Sequence, residues 1–276
     1  METQHTEIKA RGLTFDVYEG GPAGGEPVLL LHGFPQDHRE FDLILPRLHE
    51  AGLRTYAMDQ RGASPGARPA EVAEYRLSEP TADAVAVLDA LGVESAHVIG
   101  HDWGAQVSWL LAAHHPERVR TLTAVSVPHP RALRLALRVR PSQRARFAYM
   151  AVLRSPVAER LLLAGGGMPL KRMMRAIGPR ADLYADAMRE PGRLTACLNW
   201  YRALEGVQLA GVGVITVPTT LVWSDKDPVF GLTGALRTAD WVEAGYQLVA
   251  MRGVGHWVPE EAPAALAKAA LARIRA

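Results

Sequence analysis

The chain has 276 residues, of which 48% are hydrophobic and 22% charged, with a formal net charge of +2. These values exclude a disordered or fibrous chain, and so small a charge gives no reason to expect a nucleic-acid partner. The only cysteine, Cys197, rules out an internal disulfide, a thiolate metal site and a cysteine redox pair, and fits a cytoplasmic setting.

The first residues, Met1 to His5, lack the basic stretch and apolar run of a secretory leader. No segment offers the about 20 consecutive apolar residues that a membrane helix needs, so no membrane span is expected. Residues 6 to 19 read as two strands around a turn at Arg11 and Gly12, followed by a Gly/Pro-rich loop from Gly20 to Pro27. Val28 to Leu31 form a continuous apolar run that stops at His32, the pattern of a strand buried on both faces. Leu53 to Met58 and Ala96 to Gly100 repeat that pattern. Between them a helix is predicted over Thr81 to Leu91, with Val85, Leu88 and Leu91 spaced for one buried face. A second helix is predicted from Ala105 to Ala113. Val119 to Val127, Thr219 to Trp223 and Tyr246 to Met251 supply further strands. The chain closes with a helix over Pro259 to Ile274, whose opening proline and two glutamates suit a helix N-terminus.

Strands alternating with helices predict an α/β protein with a mostly parallel central sheet and helices on both faces. Between Pro128 and about Val214 the strand rhythm stops, and helical stretches are broken at Pro156, Gly165 to Gly167, Pro179 and Pro191. The expectation is a core formed by residues 1–128 and 215–276, with a helical cap, 129–214, inserted over the C-terminal edge of the sheet. Open α/β sheets place their ligands at that edge. The cap carries Arg131, Arg134, Arg138, Arg140, Arg144 and Arg146 in a short span, which reads as a solvated face.

The sharpest motif is Gly100, His101, Asp102, Trp103, Gly104, set between a strand and a helix. It has the form of a nucleophile elbow, a strained strand-to-helix turn in which Asp102 holds the place usually taken by serine. Gly255, His256 and Trp257 follow the last strand, and Asp225 and Asp227 follow the strand before it. The order nucleophile, acid, histidine is the one this arrangement requires. Asp227 is the favoured partner of His256 because it precedes Pro228 in a turn, with Asp225 as the alternative. His32, Gly33, Phe34 and Pro35 follow the first buried strand, in the loop that donates one amide of an oxyanion hole. That assigns the amides of Phe34 and Trp103 to the hole, leaves His32 and Pro35 as loop architecture, and makes a cis peptide before Pro35 plausible.

Over nearly its whole length the sequence resembles the epoxide hydrolase branch of the α/β-hydrolase family, through HGFP at 32–35, GHDWG at 100–104 and GHW at 255–257. The resemblance implies two cap tyrosines that hold the epoxide oxygen. One falls on Tyr201, within Leu198 to Arg202; the other falls on Tyr149, which precedes Pro156, with Tyr184 as the alternative. Asp59 to Gly62 resembles a family loop for which a structural role is expected.

These residue types suit attack on a saturated carbon. A carboxylate attacks while already ionised, and the ester it forms can be cleaved by water, whereas a serine here would give an inert ether. Haloalkane dehalogenases share the aspartate and the tryptophan after it, so a dehalogenase is the alternative enzyme, although a departing halide would leave the tyrosines without a task. A non-catalytic small-molecule binding protein is the alternative outside enzymes. The glycine loops carry no phosphate-binding or dinucleotide fingerprint, so no cofactor is expected, and no metal-ligand set surrounds His114 and His115.

Overall fold

The computed structural model of the protein describes residues 3–205 and 211–276. Eight strands form one sheet: β1 (Gln4–Ala10), β2 (Leu13–Gly20), β3 (Glu26–Leu31), β4 (Leu53–Met58), β5 (Ala96–His101), β6 (Val119–Val125), β7 (Thr219–Ser224) and β8 (Tyr246–Met251). Their order across the sheet is β1-β2-β4-β3-β5-β6-β7-β8. β1 pairs antiparallel with β2 and β2 antiparallel with β4, while every other pairing is parallel.

The apolar runs fix the central strands because each residue finds a core on its own side. Along β3, Leu29 and Leu31 join the cluster that contains Trp109, Val98 and Leu122. Val28 and Leu30 point the other way, into a cluster with Phe41, Leu48, Ile99 and Leu266. This two-residue alternation is the geometry of a strand with both faces covered.

Winding changes direction at β3. The chain moves from β3 to β4 on one side, then crosses back to place β5 on the other side of β3. The crevice at such a switch point is where open α/β sheets bind ligands. Phe34 follows β3 and Asp102 follows β5, so both stand at that crevice.

The boundaries depart from the sequence reading in three informative places. The helix expected from Thr81 begins at Ser78, because Pro80 falls in its first turn, where a missing amide costs no intrahelical bond. β6 stops at Val125 because Ser126 takes a φ of 68° and turns the chain out of the strand. The last helix is broken into Val258–Glu261 and Pro263–Ile274, since Ala262, just before Pro263, is pushed to φ −139° and ψ 51°.

The insertion between β6 and β7 is helical, as expected, and includes Pro130–Val139, Tyr149–Arg154, Ala158–Met173, Arg180–Ala187 and Arg193–Ala203. Gly165, Gly166 and Gly167 all adopt positive φ and break the third of these helices. Ion pairs seat the insertion on the core: buried Arg193 meets Asp37 at 2.6 Å, and half-buried Arg180 meets Glu260 at 2.6 Å.

Candidate active site

Asp102 stands at the tip of the turn between β5 and the helix Trp103–His114, with φ 49° and ψ −117°. A non-glycine residue held in such a region stores roughly 1–3 kcal/mol of strain, which surrounding structure must enforce. The two flanking glycines make that possible. A Cβ on Gly104 would run into the carbonyls of Leu31 and His32, and one on Gly100 into the Ser108 side chain and the Gly104 carbonyl.

The Asp102 carboxylate is gripped from two sides. Its Oδ1 accepts from the Phe34 amide at 3.1 Å, and its Oδ2 lies 3.5 Å from His256 Nε2. Burial alone would raise its pKa, but the hydrogen bond and charge of His256, with smaller help from His101 and the Phe34 amide, hold it below the ordinary value. Trp103 begins the helix, where an amide has no intrahelical acceptor, so its N–H is free to serve a ligand beside Asp102.

His256 Nδ1 donates to Asp227 Oδ2 at 3.0 Å. The other oxygen of Asp227 accepts from the Val229 and Phe230 amides at 2.7 and 3.1 Å, which fixes the carboxylate in a turn. Asp225 instead faces outward and accepts from the Gly253 amide at 2.7 Å, so the structure separates the two candidates. Burial works against charge on His256, but Asp227 and Asp102 outweigh it and raise its pKa to about 10.

Behind His256 lies a polar chain that the sequence did not disclose. His101 Nε2 donates to the His256 carbonyl at 2.9 Å, and Ser126 Oγ donates to the same carbonyl at 3.1 Å. The other nitrogen of His101 lies 3.0 Å from Glu40 Oε2, and neither residue is exposed. Burial, reinforced by the positive charge of His256, lowers the His101 pKa to about 4; burial raises that of Glu40 well above normal. Both shifts favour neutral partners, with the Glu40 carboxyl donating its proton to His101 Nδ1.

The insertion supplies the opposite wall. Tyr201 is buried, edge-on to Trp103 at 5.0 Å and to Phe34 at 5.4 Å between ring centres. Tyr149 lies 6.5 Å from Tyr201, also edge-on. Both rings line the same cavity of about 680 Å³ as Phe34, Asp102 and His256. Burial, and then the negative charge of Asp102, push both phenols well above their usual range, so they remain proton donors. Tyr184 is committed elsewhere, donating to Glu260 at 2.7 Å.

The remaining motif residues are structural. His32 Nδ1 donates to the Gly33 carbonyl at 2.9 Å and its Nε2 accepts from the Gln60 amide at 3.0 Å, an arrangement that requires a neutral ring. The Phe34–Pro35 peptide is cis. Arg61 is buried against Asp83, and its carbonyl accepts from Trp200 Nε1 at 3.0 Å, tying the Tyr201 helix to the core. One member of the arginine-rich stretch departs from a purely solvated role: Arg146 donates to the Asp227 carbonyl at 2.6 Å and lines the cavity. The only grouping with metal-ligand spacing among the described residues is Asp37, His38 and Asp59. Asp37 is already paired with Arg39 and Arg193, and Asp59 accepts from the His38 amide, which explains that cluster without an ion.

The profile of the α/β hydrolase fold matches residues 26–263. Epoxide hydrolase A of Mycobacterium tuberculosis is 32% identical over 96% of this chain and 95% of its own length. AB hydrolase superfamily protein YfhM of Bacillus subtilis is 31% identical over 93% of each chain. The crystal structure of epoxide hydrolase A from Mycobacterium thermoresistibile superposes with a TM-score of 0.85, at 28% identity, over 99% of this chain and 98% of that one. An aspartate at the elbow, facing a capped cavity in a sheet of this order, agrees with those likenesses: the chain belongs to the α/β hydrolase fold family, in its epoxide hydrolase branch.

Proposed function

We propose that the protein opens epoxides with water to give vicinal diols, through a covalent ester on Asp102. The observation that carries this reading is a carboxylate at the elbow with two neutral phenols lining the same cavity. The ionised Asp102 attacks a ring carbon, and its negative charge passes to the ring oxygen as the C–O bond breaks. Tyr201 and Tyr149 hydrogen-bond that oxygen and supply its proton, since an alkoxide is too basic to depart unaided.

The ester is then cleaved by water. Ester formation removes the charge of Asp102, one of the groups that hold the His256 proton in place, so the imidazole gives that proton up, restoring the phenol deprotonated in ring opening, and becomes the base. Asp227 fixes the ring orientation, and water attacks the Asp102 carbonyl carbon. The Phe34 and Trp103 amides receive the developing oxyanion, a contact whose loss typically costs on the order of 3 kcal/mol of barrier lowering.

The core is assigned to residues 1–128 and 215–276 and the cap to 129–214. His129 supports that division, because its Nε2 donates to the Gly213 carbonyl at 3.0 Å and so ties the two crossings together. No helix among the described residues is long and apolar enough to cross a membrane. A cytoplasmic site of action is supported by the single cysteine, which is buried.

A simple aryl epoxide tests the reading. Diol release in step with epoxide loss is the expected result. Binding without consumption would favour a binding protein, and chloride release from a chloroalkane panel would favour a dehalogenase.

A further inference from the structure

Charge is distributed unevenly along the chain. Between Pro130 and Ala181 there are twelve Lys or Arg residues and one acid, Glu159, a net charge of +11, although the whole chain carries +2; the remainder therefore carries −9. Glu159 is itself paired with Arg202 at 2.9 Å, so it offers little counter-charge to the rest of the stretch. Segregation of this size makes one part of the surface attractive to anions and the rest repellent to them.

The same stretch holds large apolar side chains out in water. Val152 is 47% exposed, Leu161 45% and Met168 58%, and Val157 and Met173 are exposed as well. Beyond the glycine break, Leu170, Met174 and Ile177 are buried at i, i+4 and i+7, which fixes the face turned to the core. The outward face then carries Met168, Arg172, Met173 and Arg175, where a face meant for water alone would be polar throughout. Before the break, Val157 and Leu161 lie one helical turn apart beside exposed Arg160. Among the described residues, the side chains of Arg160, Arg172 and Arg175 have no hydrogen-bond or ion-pair partner. Their neighbours are committed: Arg154 to the Tyr201 carbonyl, Lys171 to Asp182 and Arg180 to Glu260. Val152, Arg172, Met173 and Arg175 also line the cavity above Asp102, so this exposed face surrounds its mouth.

We propose that this face docks on an anionic phospholipid surface. Val157, Leu161 and Met168 enter the headgroup boundary, and Arg160, Arg172 and Arg175 meet the lipid phosphates. Apolar side chains interleaved with cations on one exposed face have the composition of a helix lying in a membrane interface, which sinks its apolar side by about 5–10 Å. Long arginine stems reach back from that depth to the headgroups. Cations alone would also suit a nucleic acid, but exposed Leu161 and Met168 would then be left in water. The negatively charged remainder of the chain is repelled by such a surface, so only this face can approach it. No helix among the described residues can span a bilayer, and the contact is therefore peripheral and weakened by salt. The proposal concerns binding and stands apart from the reaction.

Co-sedimentation of the full chain with lipid vesicles tests this. Vesicles of equal parts phosphatidylcholine and phosphatidylglycerol should carry the protein down at low ionic strength, pure phosphatidylcholine should not, and high salt should release it. Arg172→Gln/Arg175→Gln should weaken binding about twentyfold, near fivefold for each cation at the surface, whereas Arg172→Lys/Arg175→Lys should keep it. Leu161→Ser/Met168→Ser should weaken it about tenfold through lost apolar burial. Leu236→Ser, at an exposed leucine of the helix Leu232–Arg237, should change nothing. All these side chains are exposed, and an unchanged melting temperature checks that each variant folds. Protein left in solution beside anionic vesicles, equal binding to both vesicle types, or binding indifferent to both the Gln and the Ser double variants would overturn the proposal. Tighter binding to duplex DNA, unaffected by Leu161→Ser/Met168→Ser, would assign the cations to nucleic acid and overturn it too. So would light scattering that shows a dimer dispersed by that double variant, which would give the face to a second copy of this chain.

Discussion

Arg154 Nε donates to the carbonyl of Tyr201 at 2.7 Å, linking the two helices that carry the cavity tyrosines. Arg154 ends the helix that begins at Tyr149, and its Nη2 also donates to the Leu204 carbonyl at 2.7 Å. The spacing of the tyrosines is thus set by a residue that does not line the cavity. Arg154→Ala should slow ester formation by about tenfold, because small displacements of positioned groups are costly, while cleavage of ester already formed is much less affected. Single-turnover kinetics separate the two steps.

In the proposed mechanism the tyrosine hydroxyls supply the proton in the first step. Tyr201→Phe should lower the rate of ester formation by roughly a hundredfold, within the usual range for general acid assistance, and Tyr149→Phe should act in the same direction. The double variant should retain binding of intact epoxide. Stopped-flow quenching of intrinsic fluorescence, with Trp103 packed on Tyr201 and Trp200 on Trp103, would follow both events.

His256 protonates more readily in the folded chain than its ordinary value of 6.5, with a pKa raised to about 10. A group raised in this way stabilises the fold fully below its unfolded pKa and loses that contribution as pH climbs through the folded one. Thermal stability should therefore decline between about pH 6.5 and about pH 10 through this group. Asp102→Asn removes one of the two carboxylates responsible and should move the imidazole titration downward, as the proposed ester would. Titration of the ring by proton NMR in both proteins measures the shift.

Glu40 and His101 form a buried neutral pair behind the His256 carbonyl. Glu40→Ala leaves the His101 nitrogen without a partner and should cost about 1–3 kcal/mol of stability. Glu40→Gln keeps a donor at that place and should cost less. Chemical denaturation of the two variants decides the order.

How far the sequence disclosed this molecule follows from the distance over which each interaction acts. Val28 to Leu31 and Ala96 to Gly100 are legible as buried strands because all their residues but His97 are apolar or small, and Asp102 because its turn carries glycines on either side. Asp227 is distinguished from Asp225 by Pro228 and the turn it forms. Glu40 and His101, 61 positions apart, and Arg146 and Asp227, 81 apart, have no local signal, since a lone glutamate or arginine in sequence says nothing of what it meets. Arg154 is similarly hidden, 47 positions from the carbonyl it holds. Helix ends at Ser78 and Ala262 were set by prolines, whose influence on the neighbouring turn is readable but shifts the boundary by a few residues.

The covalent role of Asp102 is tested most directly by oxygen transfer. In a single turnover in heavy-oxygen water with excess enzyme, the diol should carry an unlabelled oxygen taken from the Asp102 carboxylate. Peptide mass analysis should find the heavy isotope in the fragment containing Asp102, increasing over repeated cycles. Heavy oxygen appearing in the diol on the first turnover, with the Asp102 fragment unlabelled, would mean that water attacks the ring directly and would contradict the account.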